Sequence, residues 1–159
     1  MDYYRIRPEL ARKLANPFLE APADAVDTKK GGKKWQETLV VQDVEFWKDE
    51  DDESHERLQI QFQIPSDVET VNQGRMVSAF MHFYWTAVEE GKPENRAMQT
   101  QISYREFCAL LGALGETEYK SPGEIRTVDY QGMRVVADVV VEKDKEGRDR
   151  QNVGGYKAV

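Results

Sequence analysis

The chain has 159 residues, 40% of them hydrophobic, which is enough for one ordinary core and too few for two full-sized ones. Its single cysteine, Cys108, excludes an internal disulfide and a cysteine-built zinc site, and no apolar run approaches the roughly 20 residues that a bilayer crossing needs. The formal charge of −7 speaks against a simple global attraction to nucleic acid, so such a partner would have to be met by local patches.

That charge is unevenly spread. Residues 1–36 carry eight Lys or Arg against five acids, whereas residues 37–71 carry only Lys48 and Arg57 against eleven acids. The stretch from Met1 to Pro8 lacks the basic-then-apolar order of a secretory signal, so the chain reads as cytoplasmic. Residues 1–36 read as an N-terminal arm. Pro8, Pro17 and Pro22 interrupt it, a short helix is expected over 8–14, and Lys29, Lys30, Lys33 and Lys34 flank Gly31 and Gly32 in an extended strap. Those lysines fit a phosphate-tracking patch and a solvated linker equally well.

Residues 37–159 read as one domain. From Thr38 to Trp47 the pattern is that of a strand, with Val40, Val44 and Phe46 on one side and Leu39, Val41 and Trp47 on the other, though the alternation is imperfect. Arg57 to Ile64 alternates cleanly, which sends Leu58, Ile60, Phe62 and Ile64 inward and leaves Gln59, Gln61 and Gln63 as an outer polar ladder. Between these strands, Lys48 to Glu56 has no apolar residue and is expected to be an exposed hairpin loop. A third strand, Gly74 to Trp85, places Phe80, His82 and Tyr84 on one face and Met81, Phe83 and Trp85 on the other. Ser103 and Glu106 have the spacing of a capping box opening a helix, along which Tyr104, Phe107, Leu110, Leu111 and Leu114 make an apolar stripe that stops at Gly115. Met133 to Glu142 and Arg148 to Tyr156 give two last strands around a turn at 144–147. The expected class is mainly β with one helix: a five-stranded OB-fold barrel, the helix between strands three and four, with the N-terminal arm appended.

Three segments carry a resemblance: the strand Leu58-Gln-Ile-Gln-Phe62, the helix Phe107-Cys-Ala-Leu-Leu-Gly-Ala-Leu-Gly115 and the terminal run from Val139 through Val153. Together they resemble a family of bacteriophage OB-fold proteins associated with phage replication and recombination genes and regarded as binders of single-stranded DNA. The resemblance spans roughly residues 37–156 and implies single-stranded DNA, with a replication or recombination protein, as partners in the host cytoplasm. The arm and the very acidic hairpin depart from well-known single-strand binders, as does the lack of an acidic C-terminal tail.

Single strands are held by rings on which bases stack and by cations along the phosphates. The candidate rings are Trp35, Trp47, Tyr84 and Trp85; the candidate cations are Lys29, Lys30, Lys33, Lys34, Arg57, Arg75 and Arg134. A barrel core also demands aromatic side chains, so each ring of strand three has a packing role to set beside a stacking one. The acidic run 49–53 suggests a second use, as a lure for a basic protein such as a host nucleic-acid enzyme. It lacks the glycine-punctuated spacing of a cation-binding loop, and no catalytic motif occurs; no metal, cofactor or enzymatic activity is expected.

Overall fold

The computed structural model describes residues 18–52, 54–89 and 95–159, so the helix expected over 8–14 lies outside the described residues. Six strands form one antiparallel sheet: β1 (Val26–Asp27), β2 (Lys33–Lys48), β3 (His55–Gln63), β4 (Met76–Tyr84), β5 (Arg134–Lys143) and β6 (Asp149–Ala158). The order is β4-β3-β2-β5-β6, with β1 on the end of β2. The helices are α1 (Trp85–Glu89), α2 (Asn95–Ala113) and α3 (Thr127–Tyr130), preceded by a 3-10 turn at Pro122–Glu124. Two features of the sequence reading need correction. Within the 37–159 domain one helix and five strands were expected, whereas the described residues hold three helices and six strands, and the hydrogen-bonded path is an open sheet, with β4 and β6 as its two edges.

β2 explains both the imperfect alternation and the start of the sheet. Trp35, Leu39 and Val41 are buried, as is Glu37, so the inward face already runs through residues that the sequence assigns to the arm. The lysine–glycine composition before Trp35 hides this, because only one of each two residues has to be apolar in a half-buried strand. Between Val41 and Asp43 the pairing with β3 slips by one residue. Gln42 is the extra residue of a β-bulge, and the parity reverses after it: Val44 and Phe46 pack against the core, whereas Trp47 turns outward. Strands β3 and β4 have no such irregularity. Leu58, Ile60 and Phe62 face Val77, Ala79, Met81 and Phe83 inside the sheet, each at most 6% exposed.

α2 begins at Asn95, eight residues before the expected cap, and its polar side chains explain why. Thr100 Oγ1 accepts the backbone N–H of Tyr84 at 2.8 Å, Ser103 Oγ accepts that of His82 at 3.1 Å, and Glu106 Oε2 accepts that of Gly155 at 2.9 Å. Ser103 and Glu106 therefore serve the edges of the sheet instead of the start of the helix. A helix stripe with polar groups at positions 100, 103 and 106 and apolar ones at Phe107, Leu110 and Leu111 spans the gap between β4 and β6, giving both unpaired edges a cover. Phe62 of β3 and Tyr156 of β6 approach to a ring separation of 6.0 Å across the interior, so the sheet is strongly curved around this helix. A second bulge lets β6 fit: Gly155 and Tyr156 together oppose Ala137, and Gly155 has φ +61°, a left-handed backbone in which a side chain would also collide with Asp138. The helix stops as expected at Gly115, where Gly115 N–H bonds to Gly112 O and Glu116 N–H to Leu111 O.

One end of the interior is closed by the 65–75 loop. Its anchor is Glu37, 4% exposed, whose Oε1 accepts from Trp35 Nε1, Thr70 Oγ1 and Asn72 Nδ2, each at 2.9 Å. Asn72 also bonds the backbone N and O of Glu20, which seats Leu19 in the core. Glu37→Ala leaves two buried donors and the half-buried Thr70 hydroxyl without their acceptor, so we expect it to cost about 2–3 kcal/mol, read as a lower urea midpoint at unchanged slope. Glu37→Gln keeps an acceptor oxygen and should cost less.

Candidate functional site

The outer face of β2, β3 and β4 follows from the same parity that fills the interior. Once Leu58 and Ile60 point in, His55, Arg57, Gln59 and Gln61 point out; once Met81 and Phe83 point in, Phe80, His82 and Tyr84 point out. The registers then set these side chains in rows across three strands. Trp47 pairs with Arg57, and Arg57 with His82. Glu45 pairs with Gln59, and Gln59 with Phe80; His55 pairs with Tyr84.

The rings and cations interleave. The Arg57 guanidinium lies 4.9 Å from the Trp47 ring centre, His55 meets Trp47 edge-on at 5.4 Å, and His55 stacks on Tyr84 at 4.2 Å with 9° between planes. Arg96, from the first turn of α2, lies 4.9 Å from the centre of the Tyr84 ring. His82 lies parallel to His55 at 5.6 Å and to Tyr84 at 6.3 Å. This is one continuous cation–ring–ring–ring–cation row, in which each ring is held by its neighbours. Two rings keep open surface: Phe80, 55% exposed, and Trp47, 38% exposed.

The hairpin after β2 is tied to this row. His55 Nδ1 donates to Asp49 Oδ2 at 3.3 Å, which holds the Asp49 carboxyl below the usual carboxylate range together with the stronger effect of the Asp51 N–H bond. His55 Nε2 and His82 Nδ1 are 3.3 Å apart. Burial, then the nearby His55 and Arg57, hold His82 below the ordinary histidine range. Asp52 accepts from Ser54 N–H and Oγ–H, so two of the hairpin acids, Asp49 and Asp52, shape their own turn.

The sequence candidates divide into four groups. Trp47, Arg57 and Tyr84 come together in the row just described. Trp35 and Trp85 are packing residues. Trp35 is buried against Glu37, and Trp85 begins α1, stacks on Phe83 at 5.1 Å and donates its indole N–H to Glu56. Lys29, Lys30, Lys33 and Lys34 lie at or before the far end of β2. Thirteen residues separate Lys34 from Trp47, on the order of 40 Å along a strand, so the lysines and the rings do not form one site. Lys33 pairs with Asp27, Lys34 approaches Asp138 at 3.8 Å, and Lys30 borders the β5–β6 hairpin beside Lys143, Lys145, Arg148 and Arg150. Arg75 and Arg134 complete the set. Arg75 precedes β4 at its other end, and Arg134 Nη2 ties the 65–75 loop by a 2.8 Å ion pair to Asp67.

Sequence reasoning missed His55, Phe80, His82 and Arg96 as site members. The alternation of β4 already placed Phe80 and His82 beside Tyr84. Arg96 had no such signal, because the first turns of α2 read as connector. Among the described residues, no three His, Cys, Asp or Glu side chains are grouped so as to hold a metal ion, and no helix is long and apolar enough to cross a membrane. A scan against protein-family models and a search of curated proteins give no match to this chain.

Proposed function

We propose that this protein is a non-enzymatic single-stranded DNA-binding protein of OB type, acting in the replication or recombination of phage DNA that the sequence resemblance implies. The observation that carries the reading is the outer row of Arg57, Trp47, His55, Tyr84 and Arg96, with Phe80 exposed beside it and Gln59 and Gln61 next in line. Exposed rings offer stacking surfaces to bases, guanidinium groups match phosphates, and the glutamine ladder supplies hydrogen bonds without a fixed sequence preference. The strand order supports the OB reading too. Setting β1 aside, β4-β3-β2-β5-β6 is the order of an unrolled OB barrel with a helix in the seam, and the second and third strands of such barrels carry the oligonucleotide face.

The alternative, an acidic module that binds a basic protein, has less behind it, since Asp49 and Asp52 are engaged within the hairpin. Fluorescence anisotropy with a labelled oligothymidine at two salt concentrations tests the first reading. We expect binding that weakens with salt, by a log–log slope of about −0.7 for each phosphate neutralised. No binding at low salt ends the proposal.

A further inference from the structure

The only two histidines of the chain, His55 and His82, meet at 3.3 Å in the middle of the outer row. Their bond has a definite proton count. With His55 Nδ1–H donating to Asp49, the Nε2 of a neutral His55 must accept, and Nδ1–H of His82 donates to it. A first proton can be added without breaking this contact, because an imidazolium on either ring still donates to a neutral partner. A second cannot, because two imidazolium rings would face each other N–H to N–H.

The charged groups around the pair come from three elements. Asp49 on the hairpin favours the added proton. Arg57 on β3 and Arg96 on α2 oppose it, the latter across Tyr84 of β4, and Trp47 of β2 is neutral. In the free protein His82 is held below the ordinary histidine range by burial first, and then by His55 and Arg57. A phosphate laid over the row would favour the added proton.

We propose that the Asp49–His55–His82 row takes up one shared proton on acidification and that this proton tightens the hold of the outer face on single-stranded nucleic acid, a regulation that rests on the functional reading above. Binding and protonation are then linked in both directions by the same factor. One added cation that meets a phosphate steepens the log–log salt slope by about 0.7 and, at 0.1 M salt, strengthens binding by roughly fivefold.

The test measures oligothymidine affinity at pH 8 and pH 5, each at two salt concentrations, for the wild type, His82→Gln and Asp49→Asn, with 15N resonances of the histidine rings followed in the free protein. The expected result is tighter binding and a steeper slope at pH 5 in the wild type, no pH effect in His82→Gln, and a rise displaced to lower pH in Asp49→Asn. The rings should share one coupled protonation step. Equal affinity at both pH values, or a pH effect that survives in His82→Gln, overturns the switch and leaves the DNA reading standing. Two independent ring titrations overturn the shared proton. Absence of oligothymidine binding at either pH overturns the DNA reading, and with it the regulation.

Discussion

Phe80→Ala and Trp47→Ala are each expected to weaken oligothymidine binding by about fivefold to a hundredfold while leaving the fold intact. The magnitude is that of one base–ring stack, about 1–3 kcal/mol. The separation of binding from folding rests on exposure: Phe80 is 55% exposed and its truncation creates no cavity, whereas Trp47 is 38% exposed and also flanks Arg57 and His55, so its affinity is read beside its melt. Tyr84→Ala is a different experiment. It removes the support of both His55 and Arg96, so a loss of affinity there reports collapse of the row as well as loss of a ring. Anisotropy titrations paired with thermal melts by circular dichroism read both quantities. Unchanged affinity in Phe80→Ala and in Trp47→Ala would remove this face as the binding surface.

Phe107→Ala should have the largest effect on stability, about 3–5 kcal/mol, or on the order of 10 °C in Tm. Phe107 is 1% exposed and meets Phe83 edge-on at 6.1 Å, with Tyr104 on its other flank at 6.2 Å. It is the apolar anchor by which α2 holds its place over the two sheet edges. Weakening it also loosens the bonds from Thr100, Ser103 and Glu106 to the edge N–H groups. Amide exchange at His82, Tyr84 and Gly155 should therefore quicken more than exchange in the centre of β3. Uniform quickening would mean that α2 and the sheet open as one unit.

The legible parts of this fold are the ones fixed by local alternation. Leu58, Ile60 and Phe62 announced the inward face of β3, whereas on β4 the alternation separated Met81 and Phe83 from Phe80, His82 and Tyr84 without saying which set is inward, since both faces are aromatic; the burial of Met81 and Phe83 decides it. The hidden parts depend on long-range partners. Ser103 and Glu106 fit a capping box by spacing alone, and only the proximity of His82 and Gly155 shows that their oxygens serve the sheet. Trp35 sat among lysines and looked like a ring offered to solvent, yet Glu37 two residues later gives its indole N–H a buried acceptor. The site was half legible for the same reason. Trp47 and Arg57 face each other through a register that the hairpin fixes, whereas Arg96 reaches Tyr84 from a distant helix.

The length of β2 has a consequence for how the chain assembles. Its second half, from Val40 to Lys48, pairs with β3 a few residues later, but its first half, Lys33 to Val40, waits for β5, where Leu39 meets Val135 about 95 residues downstream. Hairpins of β2 with β3, β3 with β4 and β5 with β6 close locally, so joining the two halves of the sheet is the slow, high-separation step. During synthesis at roughly 5–20 residues per second, the front half of β2 stands as an unpaired edge for on the order of 5–20 seconds, with Trp35 and Leu39 uncovered. Lys29, Lys30, Lys33 and Lys34 lie at the start of that edge. Flanking lysines are a common guard against pairing with another copy of a nascent chain, and Lys33 and Lys34 stand within that strand as such flanks do.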